Sequence, residues 1–595
     1  MKSNLSFQIF IPTLLILACG QLKAQNPSPP WAWAKAFYRT NTLVNPAIAV
    51  DPSGSGAVYT TGSYFGTVDF DPGQGIFNLD SLGYYGDMFI SKLDGNGDFV
   101  WAKQISSSSI GTCEGYSIAV DSSGSGEVYS TGAFLGHIDF DPGPDTFILH
   151  HSGDVWYYPN IFVTKLDSSG NFKWAVGMGG TGEVWGQSIA VDPLGSGDVY
   201  ILAPFTGTID FNPGGEPFEL TSNGKHDFFI LKLDSSGKFL WAKSIGGAEE
   251  DFGFAMALDP NICDVYITGD FTGQVDFDPS DSSHIFTSGP SFDIFILKLN
   301  SEGDFVWVKP MYGSGSKGGA GYSITLDPNG SGEVYTTGYY EGEVDFDPDG
   351  KGIYNLQSQG LNDVFISKLD RAGNFVWAKS MGGVGDDKGN AIVFDPEVDG
   401  GAYIMGNFTQ TTDFDPGPDN YSLTAVHSND IFISKLNGSG DFLWVKPIWA
   451  NQANQSNSLA LGGQTLYTTG LFLNPNITFD SIEISNPSDS GVFWDVFVAK
   501  LNTTITTSVT EINHHPINIY PNPATNELTI EFDEGELFET DITLFNILGE
   551  VVFSSPNEKI GQKKTIDISP LPAGIYFVEL NIDGARSVEK VVKKN

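Results

Sequence analysis

The carboxylates that could do chemistry in this chain recur in pairs. A D-F-D-P-G tract or a close variant sets Asp69 beside Asp71, Asp139 beside Asp141, Asp210 beside Asn212, Asp276 beside Asp278, Asp345 beside Asp347 and Asp413 beside Asp415, and it decays at Thr478 and Asp480. In an extended chain this alternation puts both acids on one face and the Phe on the other. Two like charges held so close need a cation, backbone donors or a lysine to compensate them. Calcium, which takes carboxylate oxygens, is therefore the candidate cofactor at these pairs. The reading ranked ahead of it is an Asp-Pro-Gly turn that binds nothing.

Two further side chains recur. A lysine flanked by apolar residues stands at Lys92, Lys165, Lys232, Lys298, Lys368, Lys435 and Lys500. A half-buried ammonium calls for a carboxylate, and the acids at Asp51, Asp121, Asp192, Asp259, Asp327 and Asp395 are the candidate partners. Because a catalytic site is assembled once, seven equivalent lysines read as structural ion pairs. The tryptophans at Trp33, Trp101, Trp174, Trp241, Trp307, Trp377 and Trp444 read in the same way, as rings that fill the space between repeated units.

Catalytic patterns are scarce. "DGNGD" at 94–98 resembles the start of a calcium loop, but the third copy has Lys238 where Asp98 stands and none carries the distal Glu, so a glycine hairpin is preferred. His150-His151 and His514-His515 lack metal-ligand spacing, and no nucleophile elbow or phosphate loop is present. Glu249-Glu250 and Asp386-Asp387 read as solvated loop charges. No catalysis is expected.

The elements that carry these residues repeat every 65–73 residues. Each unit holds four strand-like segments in order: "SIAVD" and its variants, then "VYxTG", then "DxF(I/V)xKL", then a segment around the Trp. Turns such as "DSSG" and "NSEG" join the last two and end on Gly. Four antiparallel strands per unit make one propeller blade. The repeat region opens with a lone fourth segment, "WAWAKAF" at 31–37, and closes with a lone third one, "DVFVAKL" at 495–501. Pairing them completes a seventh blade and leaves no open edge. The expected fold is all-β, a closed seven-bladed β-propeller over 25–502, then a linker at 503–514 and a small C-terminal β-sandwich at 515–595.

Composition bounds the setting. A formal net charge of −42 disfavours nucleic acid and anionic membrane faces. Residues 1–24 have the layout of a secretory signal peptide, Lys2 followed by an apolar run and Leu22-Lys23-Ala24; a lipidated Cys19 is the competing reading. No later stretch is apolar enough to span a membrane as a helix. Cys113 and Cys263, the cysteines beyond the signal, fall at different positions of different units, so no framework disulfide is expected.

The unit "GxDIFILKLNSEGDFVWVK … YSITLDPNGSGEVYTTG" resembles the SBBP-type β-propeller repeat of bacterial surface proteins over about 31–502. "IYPNPATNELTIEF", "ITLFNILGEVVFSS" and "LPAGIYFVELNIDG" resemble the type A C-terminal sorting domain of the Bacteroidetes type IX secretion system over about 515–595. These resemblances imply an exported propeller whose tail is read by the secretion machinery, placed outside the cell or on its outer surface. The expected activity is binding or adhesion as a monomer, with an extracellular glycan or protein as ligand. A polysaccharide- or peptide-acting enzyme and a purely architectural surface protein are the alternatives. Variable text concentrates in loops expected on one face, "HHSGDVWYYP" at 150–159, "EVWG" at 183–186, "EEDFG" at 249–253 and "IWANQANQ" at 448–455, and any ligand site is expected there.

Overall fold

The computed structural model describes residues 28–503 and 517–594 apart from 40–42, 83–85, 108–110, 153–157, 281, 316, 349–351, 397–399, 451, 474–475, 486–493, 533–537, 547–550, 561–562 and 583–584. The expected signal peptide and nearly all of the expected linker fall outside them. The chain divides into two compact units near residue 505. All regular structure among the described residues is β.

The larger unit repeats one sheet. In its second copy Thr112–Val120, Val128–Leu135, Asn160–Leu166 and Phe172–Gly180 pair antiparallel in chain order. The middle strands are buried throughout except at Leu135, and their polar residues Ser130, Thr131, Asn160, Thr164 and Lys165 are buried with them, as in strands covered on both faces. The first and fourth are partly exposed.

The sheets have six strands where the sequence suggests four. The D-F-D-P-G tract forms a short hairpin that leaves its own unit and adds to the outer edge of the preceding one. Thr208–Asp210 pairs with Glu219–Thr221 and, through Asp210 and Ile209, with Gly179 and Gly180 at the end of the preceding fourth strand. The nine-residue fourth strand outruns its inner partner, and the borrowed hairpin covers the edge left open. Meanwhile the Phe of the tract turns inward against the Phe of its own third strand, Phe211 on Phe229 at 4.4 Å and Phe70 on Phe89 at 4.8 Å between ring centroids.

Seven such sheets form, and seven apolar clusters lie between them. A linear stack of seven sheets would have six interfaces. The additional cluster joins Ile48, Val58 and Phe89 of the first sheet to Tyr467, Val496 and Val498 of the last. Trp31–Arg39 supplies the last sheet's fourth strand, pairing antiparallel with Trp494–Asn502 through Ala34 opposite Ala499 and Phe37 opposite Val496.

The smaller unit has a three-stranded sheet, Ile517–Tyr520, Glu527–Phe532 and Lys563–Asp567, and a four-stranded one, Val551–Ile560, Phe538–Asn546, Gly574–Ile582 and Ala585–Lys593. Leu528, Ile530, Ile542, Leu544, Ile566, Val578 and Leu580 form its core. The charged segments 563–567 and 585–593 do not read as strands in sequence, because their alternation is carried by Thr, Ile and Val between lysines.

Candidate functional site: a channel lined by divergent residues

The repeated lysines and tryptophans build a clasp between sheets. Trp101 Nε1 and Lys92 Nζ both donate to the Ser168 carbonyl in the next unit's hairpin turn, each at 3.2 Å, and Lys92 lies over the Tyr59 ring at 4.8 Å. Trp33 and Lys500 converge in the same way on the Gly95 carbonyl, at 3.2 and 2.8 Å, across the junction of the last sheet and the first. The indole lies flat on the turn's glycine. At Gly237, with φ +82°, a Cβ would sit 2.7 Å from the Trp174 ring. Most of these tryptophans are half-exposed, so they cap the wedge between sheets instead of filling it. The wedge is filled by second-strand tyrosines such as Tyr129 and Tyr200 and by the paired phenylalanines.

The carboxylates that serve the lysines are mostly others than the expected ones. Lys165 pairs with Glu127 at 2.7 Å, Lys232 with Asp198 at 3.2 Å, Lys298 with Asp264 at 2.9 Å and Lys368 with Glu333 at 2.8 Å, all residues just before the second strand. Only Lys435 uses the acid that ends the first strand, Asp395. Elsewhere that acid caps its own turn, as Asp121 does by accepting from Ser123 N and Ser125 Oγ. Burial pushes the Lys165 pKa down, but Glu127 and Tyr129 outweigh it and hold it above its ordinary value. Lys92 and Lys500, which donate to carbonyls, are lowered by burial.

The paired acids of the tract are met by backbone donors. Asp69 Oδ1 accepts from Asp71 N and Phe77 N, and Asp139, Asp276, Asp345 and Asp413 repeat this with the amides of Asp141 and Phe147, Asp278 and His284, Asp347 and Tyr354, and Asp415 and Tyr421. Asp71, Asp141 and Asp415 in turn accept from the following glycine N–H. The repulsion that suggested calcium is thus relieved within the hairpin. Among the described residues no three His, Cys, Asp or Glu side chains group as metal ligands. Cys113 and Cys263 are buried and unpaired.

One cavity of about 570 Å³ is lined by residues from the first strands, or the segments leading into them, of all seven sheets. The side chains reach it through a repeated irregularity. Six of these strands carry one residue more than their partner, between Gly115 and Ser117, Gly253 and Ala255, Gly321 and Ser323, Gly389 and Ala391, and Ser456 and Ser458, with a shift between Val44 and Ala47 in the first, whereas Ser188–Val191 pairs without a shift. A bulge bends the strand and re-aims a side chain. The extra residues are Tyr116, Phe254, Tyr322, Asn390 and Asn457, and with Asn45 and Gln187 they line the cavity.

The residue before the bulge is held by contact. A Cβ on Gly115, Gly186, Gly321 or Gly389 would lie 2.5, 2.0, 2.1 or 2.3 Å from the Oγ1 of Thr61, Thr131, Thr268 or Thr337 in the preceding sheet. Those hydroxyls are pinned, as Thr131 is by donating to the Phe162 carbonyl at 2.6 Å.

The lining has two sectors. Trp185, His226, Phe252, Phe254, Tyr322 and Tyr339 form a run of ring contacts with centroids 5.2–5.8 Å apart. Lys388 Nζ lies 5.1 Å over its last ring. Across from it are amides: Asn390 Nδ2 donates to Asn407 Oδ1 at 3.1 Å and Ser456 Oγ at 2.9 Å, and Asn407 Nδ2 to the Asn454 carbonyl at 3.1 Å. Asn457 Oδ1 is buried with no hydrogen-bond partner among the described residues.

Several acids lie deeper. Asp270 is 5% exposed with an unpartnered Oδ1, and burial, then Asp251 and Glu250, push its pKa well above the carboxylate range. Burial raises Asp227 and Asp363 to about 7 and Asp251 and Asp387 to about 6. Asp387 is fully buried, which corrects its reading as a solvated charge; it accepts from Thr409 N and Thr412 Oγ1. Glu249 and Asp386 are indeed exposed.

Of the variable loops singled out in sequence, 183–186 supplies Trp185, 249–253 supplies Phe252 and 448–455 supplies Asn454; residues 153–157 of the fourth lie outside the described residues. The bulge residues were missed. Their signal was the column just before "SIAVD", which changes among Pro46, Tyr116, Gln187, Phe254, Tyr322, Asn390 and Asn457 while its neighbours repeat.

Residues 518–594 match the secretion system C-terminal sorting domain. The sorting tail expected at 515–595 is therefore present, and it points to export to the cell surface or beyond. The repeat region is similar to an uncharacterized WD repeat-containing protein, L264, of Acanthamoeba polyphaga mimivirus, 30% identical over 268 residues. That match covers 38% of this chain and 19% of the viral protein. It agrees with an all-β repeat chain of propeller type. No helix among the described residues is long and apolar enough to cross a membrane.

Proposed function

We propose that this chain is a non-catalytic binding protein, a closed seven-bladed propeller exported by the type IX system and engaging an extracellular ligand in its central channel. The observation that carries the reading is the contrast within the first strands: the framework repeats from sheet to sheet, while the residue turned into the channel changes among tyrosine, glutamine, phenylalanine and asparagine. A purely architectural ring has no use for that difference. The seven sheet interfaces and the pairing of residues 31–39 with 494–502 support closure.

Two experiments test it. Truncation at Thr507 in a Bacteroidetes host should leave the propeller folded but held in the periplasm; arrival of the truncated chain at the surface or in the medium would remove the sorting assignment. Incubating the full chain with oligosaccharides and peptides should give saturable binding without product release. Steady turnover would instead establish the enzyme reading.

A further inference from the structure

The chemistry of the channel says more about its ligand, given that it binds one. None of the residues that line the cavity directly is Asp, Glu, Lys, Arg or His; His226 and Lys388 contact the aromatic run without lining the cavity. A charged ligand would enter without a counter-charge, and the chain's net charge of −42 further disfavours an anion. The lining is instead divided between half-exposed aromatic faces and planar amides. An aromatic face attracts the polarised C–H bonds of a flat, saturated ring. A side-chain amide offers a donor and an acceptor side by side, which matches two adjacent hydroxyls. One ligand class has both features: a pyranose presents an apolar face and a rim of vicinal hydroxyls.

Backbone addition of a peptide is less well served. Inner-edge amides of the first strands are already taken by neighbouring sheets, Ile189 N by Ser117 Oγ at 3.2 Å and Ile392 N by Ser323 Oγ at 3.1 Å. The cavity, about 570 Å³, falls in the range of about 300–1,000 Å³ usual for specific small-ligand sites.

We propose that the channel binds a neutral glycan segment, with Trp185, Phe254 and Tyr322 stacking on sugar faces, Gln187 and Asn457 pairing with hydroxyls, and Asn390, whose Nδ2 is already taken by Asn407 and Ser456, accepting through Oδ1. Asn457 Oδ1, buried and unpartnered, is the acceptor a sugar hydroxyl would satisfy. Trp185 is the reporter, since a stacked sugar removes water from its indole.

The test uses the full chain and four probes: cellohexaose, mannohexaose, hexa-N-acetylchitohexaose, and as an acidic control hexagalacturonic acid, with a pool of uncharged hexapeptides alongside. At least one neutral hexaose should bind by calorimetry and shift tryptophan emission, with little change between 50 and 500 mM salt. Tyr322→Ala and Phe254→Ala should each weaken it at least tenfold and Asn457→Ala about fivefold, with melting temperatures near that of the parent. Tyr322→Phe, which keeps the ring, should restore most of the affinity. If the acidic hexaose or the peptides bind instead and Tyr322→Ala abolishes it, the glycan assignment falls while the binding function stands. Release of shorter sugars would keep the ligand class and overturn the non-catalytic reading. If no probe binds, both fall.

Discussion

Each sheet meets its neighbour in two places, and the two have opposite sequence behaviour. At the outer contact the same tyrosine, lysine, tryptophan and turn glycine recur, with Lys92 and Trp101 on the Ser168 carbonyl and Lys500 and Trp33 on that of Gly95. At the inner contact the glycine against a threonine repeats, but the next residue is tyrosine, glutamine, phenylalanine or asparagine. Equivalent sheets must solve the same packing problem at every junction, so side chains that hold junctions together repeat. A ligand has no sevenfold symmetry, so residues that touch one need not repeat. Divergence inside a repeat is therefore a pointer to function that requires only the chain itself.

The largest effect should come from breaking one junction outright. Deleting residues 28–38 removes the fourth strand of the last sheet, with Trp31 and Phe37, and exposes the edge of 494–502. We expect a loss of more than about 5 kcal/mol and a tendency to aggregate, read by thermal melting and light scattering. An unchanged melting temperature would show that the first and last sheets are not held by this strand.

Single outer residues should cost less, in proportion to what they leave unpaired. Lys298→Met strands Asp264 beside a buried ring and should cost about 3 kcal/mol, whereas Lys92→Met leaves the Ser168 carbonyl its bond from Trp101 and should cost about 1 kcal/mol. Gly321→Ala, which forces a methyl to 2.1 Å from Thr268 Oγ1, belongs with the larger value, about 2–3 kcal/mol. Urea titrations that rank Lys92→Met above Lys298→Met would contradict the ion-pair account.

Much of this frame is legible in sequence because every motif is written about seven times. Strand order, hairpin turns and the chain ends that supply halves of one sheet all follow from counting. What is not legible is what crosses between units. The D-F-D-P-G hairpin pairs with the sheet before its own, and nothing in Asp69-Phe70-Asp71 says so. The lysine partner likewise had two candidates a few residues apart, Asp259 and Asp264 for Lys298, and only the geometry of the turn chooses. The bulge residues are hidden because no single residue type marks them: Tyr116, Phe254, Tyr322, Asn390 and Asn457 share a place in the strand but not a motif.

Buried acids sharpen the comparison through pH. Asp363 and Asp387 titrate near 7 and 6 when folded, against about 3.9 unfolded, so the native state binds the extra protons. Below about pH 4 both states are protonated and the folded chain is not penalised; from about pH 4 to 6–7 only the unfolded chain ionises these carboxyls and stability falls, and above that the loss is complete. Asp387→Asn should therefore stabilise the chain by about 2–3 kcal/mol at pH 8 and by nearly nothing at pH 3. Equal changes at both values would mean that Asp387 is ionised throughout.

The smallest effect is expected where the sequence varies most. Tyr322 is only half-buried, faces the cavity and follows a glycine that already fixes the backbone. Replacing it by asparagine, the residue that stands at the same place in the sixth and seventh sheets, keeps the bulge and removes the ring's contacts with Phe254 and Tyr339 and the hydroxyl's hydrogen bond to Tyr339. We expect Tyr322→Asn to cost no more than about 1 kcal/mol, well under Gly321→Ala one residue earlier. Chemical denaturation of the two variants side by side tests this. A Tyr322→Asn loss that matches or exceeds the glycine's would make the channel ring part of the framework, and its divergence would then require a packing explanation sheet by sheet in place of a ligand.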